Sequence, residues 1–150
     1  MRLVIQRVRR ASVSISGTIV GEIASGLLIL VGIEGADGPD DVEWLATKVA
    51  KMRLFADEAG LINLSVKDID GGLLVVSQFT LHASTRKGNR PSFIRAARPD
   101  VARSLYEDFL KALEREAERE IATGVFAADM QVELVNDGPV TIWVDSRQRE

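Results

Sequence analysis

Eight residues, Gly26 to Ile33 (GLLILVGI), constrain the fold more than any other stretch of the chain. They are apolar on both parities, so a strand built from them has no face to give to water. It has to be a central strand, covered on both sides. The run is also the longest apolar run in the chain, and it falls far short of the roughly 20 residues a membrane helix needs. The chain therefore needs a sheet with apolar cover on both faces, and its 150 residues suit one domain with a real core.

The flanking segments supply the rest of such a domain. Residues 1 to 16 (MRLVIQRVRRASVSIS) alternate with period two and read as one long strand. The parity of its apolar face changes near Ala11, which predicts a bulge there. Gly17-Thr18 reads as a hairpin turn, with Thr18 to Ile23 returning. Pro39 suits a helix entrance, with Asp40 or Asp41 as its cap. Val42, Leu45, Val49 and Met52 then carry the helical spacing to about Leu54. Asn63 to Asp70 reads as loop, and Leu73 to Ser77 as a second buried strand. Residues 82 to 99 form a long connection. Pro99-Asp100 opens a helix striped by Val101, Leu105, Phe109 and Leu113, running through Glu120 and stopped by Gly124. Met130 to Val135 and Val140 to Val144 complete the set. The expected fold is a single α/β domain, residues 1–150, with a mixed, largely antiparallel, barrel-like sheet and two main helices in the order β-β-β-α-β-α-β-β.

Composition excludes several chemistries. There is no cysteine and one histidine, His82. A cysteine nucleophile, a disulfide and a multi-histidine metal site are all ruled out. The acidic residues near Asp37 to Glu43 read as helix-capping charges, so no metal and no cofactor is expected. The charged, alternating N-terminus does not form a signal-peptide core, and a cytoplasmic location is expected. The net charge of −3 means that any polyanion site must be a local patch.

Three stretches can carry function. Ser77-Gln78-Phe79-Thr80-Leu81 closes a buried strand, where loops build sites. Thr80 is either a strand-end cap or a nucleophile, and in an extended chain His82 would share its face as the only local base. Arg86, Lys87 and Arg90, followed by Arg95 and Arg98, make the one dense basic cluster without interleaved acids. It is either a phosphate-contacting loop, with Phe93 as a stacking ring, or a solvated one. Asn136-Asp137-Gly138-Pro139 interrupts two β-prone runs with a residue that has no amide hydrogen to give to a sheet. Trp44 and Trp143 read as packing residues.

SQFTL at 77–81 and NDGPVT at 136–141 together resemble the two signature motifs of the D-aminoacyl-tRNA deacylases. The similarity extends through MRLVIQRVRRASVSI, VGEIASGLLILVGI and KGNRPSF, and so covers essentially the whole chain. Each motif alone is loose, but the pair is specific.

The resemblance implies hydrolysis of the ester joining a D-amino acid to the terminal adenosine of tRNA, and action on glycyl-tRNA, including glycine mischarged on alanine tRNA. It implies a homodimer in which a cis Gly138-Pro139 loop crosses into the partner's site. Gly138 and Pro139 would select chirality, with Asn136 and Thr141 in the same motif and Arg7 holding the loop. Ser77, Gln78, Phe79 and Thr80 would form the catalytic segment. Gln78 and Phe79 would hold the adenosine and the ester, and amide hydrogens near Phe79 and Thr80 would stabilise the oxyanion. The resemblance favours a route assisted by the tRNA ribose hydroxyl over attack by Thr80. Arg86, Lys87 and Arg90 are the expected tRNA contacts. The rival readings are a non-catalytic nucleic-acid-binding module, a general acyl or peptide hydrolase with Thr80 as nucleophile, and a domain like the editing domains of some synthetases.

Overall fold

The computed structural model describes residues 1–149. The strand predicted at 26–33 is β3 (Gly26–Gly32), and both of its faces are covered. It runs antiparallel to β1 (Arg2–Ile15) and parallel to β6 (Gly72–Ser77). β1 is the axis of the sheet. One flank carries β3 and then β2 (Thr18–Ile23), and the other carries β8 (Gln131–Asp145) along most of its length. β2 curls back towards β6 and the two-residue β7 (Ala122–Thr123), so the sheet is nearly closed. Helices α1 (Pro39–Lys51) and α2 (Pro99–Ala117) cover one face.

Two apolar clusters result, one on each face of the sheet. Leu3, Ile5, Leu27, Ile29, Leu73 and Val75 face the helices. Val8, Ala11, Val13, Leu28, Leu74 and Val76 fill the curled interior. Full burial of such a side chain contributes about 1.5–3 kcal/mol, which is why β3 tolerates no polar residue. β1 serves both clusters because its parity changes. The register against β8 moves from Val8↔Asn136 to Arg10↔Val135, one extra residue on β1. The bulge expected near Ala11 lies at Val8 to Arg10, just before it.

Other boundaries also differ from the sequence reading. The first hairpin turns at Ser16 and Gly17, both with positive φ, one residue earlier than Gly17-Thr18, while the returning strand is Thr18–Ile23 as expected. α1 is capped by Gly38, and the Asp41 carboxylate accepts from the Gly38 amide at 2.9 Å, so neither Asp40 nor Asp41 is the cap residue. It stops at Lys51. β4 (Arg53–Ala56) then pairs with β5 (Ile62–Ser65), inside a stretch read as helix end and loop. α2 ends at Ala117, where Glu118 turns left-handed at φ 54°, and not at Gly124. The order is thus β-β-β-α-β-β-β-α-β-β. The two final strands are one strand, β8. Trp143 on it is half exposed, under the Arg2 guanidinium at 5.3 Å, and not a core residue.

Candidate active site

β8 resolves the problem of a proline inside a sheet by looping out. Gln6 pairs with Thr141 and Val8 with Asn136, so Asp137 to Val140 all stand opposite the single residue Arg7. The Gly138-Pro139 peptide in this loop is cis. Arg7 holds it from below. Its Nε donates to the Asp137 carbonyl at 2.9 Å and its Nη1 to the Leu54 carbonyl at 2.6 Å. Asn136 closes the base of the loop: its Oδ1 accepts from the Val140 amide at 3.0 Å and its Nδ2 donates to Thr141 Oγ1 at 3.0 Å. Gly138 has φ +127°, and a Cβ there would stand 2.6 Å from Arg7 Nη2, so both backbone and space call for glycine. Gly138 and Pro139 themselves are exposed.

The other motif folds differently from an extended chain. After Ser77, Phe79–His82 forms a 3₁₀ helix, held to β3 by the Gln78 amide donating to the Val31 carbonyl at 2.7 Å. Because the helix begins at Phe79, the amides of Phe79 and Thr80 have no acceptor within it. Gln78 Nε2 donates to Thr80 Oγ1. His82 is fully buried beneath the helix, and neither ring nitrogen has a well-formed partner. The expectation that Thr80 and His82 share one extended face is therefore overturned: the chain turns between them, and among the described residues no base is a hydrogen-bond partner of Thr80.

Ser77, Gln78 and Phe79 line a cavity of ≈ 700 Å³ together with Phe93, Arg98 and Met130. Phe79 is 57 % exposed and meets Phe93 edge-on, centroids 5.2 Å apart. The walls are mostly apolar with a few polar groups, the usual composition of a small-molecule site. None of Arg7, Asn136, Gly138, Pro139 and Thr141 lines it. The 3₁₀ helix is tied to Arg2 through the Leu81 carbonyl at 3.0 Å. Arg2 and Arg7 lie five strand residues apart, about 17 Å at a strand rise of about 3.3 Å per residue. Within one chain the Gly138-Pro139 loop therefore takes no part in lining this cavity.

The basic cluster borders this cavity. Reciprocal backbone bonds between Ser84 and Ser92, at 2.8 and 2.9 Å, close it into a loop. Arg95 pairs with Glu34 at 3.3 Å and Arg98 with Asp100 at 3.6 Å. Arg86, Lys87 and Arg90 are exposed and have no acidic partner among the described residues. Among those residues no group of three or more His, Cys, Asp or Glu side chains is placed to hold a metal, and no helix is long and apolar enough to cross a membrane.

Two contributors escaped the sequence reading. Gly32 lets the 3₁₀ helix sit directly on β3: a Cβ there would be 2.8 Å from Leu81 Cβ and 3.0 Å from the Gln78 carbonyl oxygen. Arg2 reaches across from the start of β1, and its partner Asp145 accepts from Arg2 Nε at 2.9 Å. Burial alone would raise the Asp145 carboxyl, but the Arg147 amide and the Arg2 guanidinium hold it below the usual range. Neither residue sits in a motif, and both act over long sequence separations.

Comparison with known proteins agrees over the full length. A family model described as D-Tyr-tRNA(Tyr) deacylase matches residues 4–145. Proteins named D-aminoacyl-tRNA deacylase from Akkermansia muciniphila and Flavobacterium johnsoniae are 63% and 58% identical to this chain, over 100% of both sequences in each case. Among solved structures, the c-Myc DNA Unwinding Element Binding Protein superposes with TM-score 0.90 at 40% identity, covering 97% of this chain and 98% of the other. A probable eukaryotic D-amino acid tRNA deacylase shares the fold, with TM-score 0.80 at 14% identity over 95% and 97% of the two chains.

Proposed function

The chain belongs to the D-Tyr-tRNA(Tyr) deacylase family, and from that premise we propose that it hydrolyses the ester between a D-amino acid and the 3′-terminal adenosine of tRNA. Water attacks the ester carbonyl carbon, the bond to the ribose oxygen breaks, and the ribose oxygen takes up a proton. The products are free tRNA and a free D-amino acid. The observation that carries this reading is the pairing of two features: an open cavity floored by Ser77, Gln78 and Phe79, and a rigidly braced Gly138-Pro139 loop that is presented outward.

An aminoacyl ester is already activated, so the demand on the protein is modest. The Phe79 and Thr80 amides, free of helix acceptors, are the donors for the oxyanion. Thr80 is held by Gln78, and no base is among its hydrogen-bond partners in the described residues, which supports activation of water by the neighbouring ribose hydroxyl over a covalent threonine intermediate. The adenosine would lie in the cavity between Phe79 and Phe93. Arg86, Lys87 and Arg90 would meet the tRNA backbone, where cations make binding salt-dependent. A tRNA substrate carries with it a cytoplasmic location.

Selection would be steric. With the amino group fixed, D and L residues differ in where the side chain points. A stiff backbone wall at Gly138-Pro139 blocks the L side chain and leaves the D side chain free. Glycine has nothing to block, so glycyl-tRNA, including glycine on alanine tRNA, would pass. The wall does not line the cavity of its own chain. A homodimer, with the loop of one protomer entering the cavity of its partner, would bring the two together.

Matched D- and L-aminoacyl-tRNA test this directly, by following release of each amino acid with rising salt. Release from the D ester alone is expected. Neutralising Arg86, Lys87 and Arg90 is expected to weaken binding and flatten its salt dependence. Equal release from both esters would sink the wall. A second reading, a nucleic-acid-binding module without catalysis, draws on the DNA-binding name of the neighbour at 40% identity and on the open basic loop. It predicts tRNA binding with no release of either amino acid.

A further inference from the structure

The segment proposed to meet the ester, Phe79 and Thr80, lies on a single turn of 3₁₀ helix, a conformation with poor hydrogen-bond geometry and little stability of its own. Something outside it must fix where its amides point. On one side it rests on Gly32 of β3. On the other, one side chain reaches it from β1. Arg2 Nη1 donates to the Leu81 carbonyl at 3.0 Å while Arg2 Nε donates to Asp145 Oδ2 at 2.9 Å.

Resting on the proposed deacylase reading, we propose that Arg2 is a positioning residue for that reaction: it clamps the 3₁₀ helix through Leu81 and thereby sets the amides of Phe79 and Thr80.

The geometry favours a clamp over an incidental surface pair. The Arg2 side chain is 18% exposed and that of Asp145 7%, so the pair is sheltered from solvent competition. The acceptor in the helix is a main-chain carbonyl, which reports backbone position directly. Asp145 is itself fixed, since its Oδ1 accepts from the Arg147 amide at 3.0 Å. The end of β8 is fixed in turn by the Ser146 amide donating to the Met1 carbonyl at 2.9 Å. The Arg2 guanidinium also lies on the exposed ring of Trp143, 5.3 Å from its centre, which limits its swing. The planar guanidinium serves two acceptors in different directions at once, and a lysine ammonium on a flexible stem cannot keep that angle. Arg2 touches no reacting atom in this scheme, and its effect passes entirely through the helix.

The test compares Arg2→Ala, Arg2→Lys and Val49→Ala with the wild-type full chain. Val49 is a fully buried residue of α1 outside both motifs and serves as a matched loss of stability. Turnover of D-aminoacyl-tRNA, thermal unfolding and amide exchange of Leu81 and Ala83 are measured for each. Those two amides donate to the carbonyls of Gln78 and Thr80 and report the helix itself. Arg2→Ala is expected to lower kcat by about 10- to 100-fold, the scale of a small misplacement of a reacting group. KM should stay within about threefold, as for an interaction used only in the transition state. Arg2→Lys should recover part of the loss, and both amides should exchange faster in Arg2→Ala. Val49→Ala should keep wild-type kcat at a comparable loss of thermal stability. Equal kcat in Arg2→Ala and wild type would overturn the proposal. So would unchanged exchange of Leu81 and Ala83, or a kcat loss in Val49→Ala as large as in Arg2→Ala. If the wild type releases no amino acid, the deacylase reading fails by itself, and the exchange measurement still decides whether Arg2 holds the helix.

Discussion

His82 is the residue whose environment most directly sets a response to pH. Burial lowers its pKa from the ordinary 6.5; the Arg2 guanidinium and the chain's amino group push the same way, while Glu34 and the Gly32 backbone oppose. The sign follows from linkage. Above about 6.5 both folded and unfolded imidazoles are neutral, and the contribution to stability is complete. As the pH falls below that value the unfolded chain binds a proton that the folded chain refuses, and stability is lost until the folded pKa is passed. One proton limits the slope to about 1.4 kcal/mol per pH unit. Thermal unfolding from pH 7.5 to 5 should therefore fall more steeply for the wild type than for His82→Gln. Parallel curves would show that the imidazole does not carry the effect. The same residue illustrates what a sequence hides. Read as an extended neighbour of Thr80, it is a base; folded into a 3₁₀ turn, it is packing.

At the scale of elements, the seat of the 3₁₀ helix on β3 depends on a missing methyl group. Gly32→Ala forces a Cβ to within 2.8 Å of Leu81 Cβ, and overpacking of this kind costs about 1–3 kcal/mol. The expected outcome is a destabilised protein whose turnover falls further than that of a control with equal loss of stability. Turnover that merely tracks stability would remove Gly32 from the site. The elements legible in advance were those with long patterns. β3 shows itself by apolarity on both parities, β1 by its long alternation on either side of the bulge, and both helices by their proline entrances and apolar stripes. The missed elements are short. β4 and β5 have four residues each and β7 two, too few for a period to register. Met52 and Leu54 keep an apolar rhythm past the end of α1, which is why the helix reads too long. The site divides the same way. SQFTL and NDGPVT are contiguous and recognisable, whereas Arg2 acts on a carbonyl 79 residues away and Gly32 acts by lacking a side chain.

For the whole molecule, the absence of the Gly138-Pro139 loop from the cavity lining of its own chain turns the active site into a question of assembly. If the loop works in the partner's cavity, Gly138→Ala should release both D and L amino acids, and Phe79→Ala should release neither. Mixed and allowed to exchange protomers, the two chains should form heterodimers in which the intact cavity of one meets the intact loop of the other. Random pairing of equal amounts then predicts that L release falls to roughly half while D release is kept. Unchanged L release despite demonstrated heterodimers would place the loop's action in its own chain and remove the dimer from the mechanism. The excursion of β8 opposite Arg7 has one more consequence. Pairing resumes on both sides of it, so the sheet does not measure how many residues the excursion contains. Natural drift or an engineer can lengthen, shorten or graft that cartridge while the surrounding ladder keeps its place, leaving its shape open to selection without reopening the architecture.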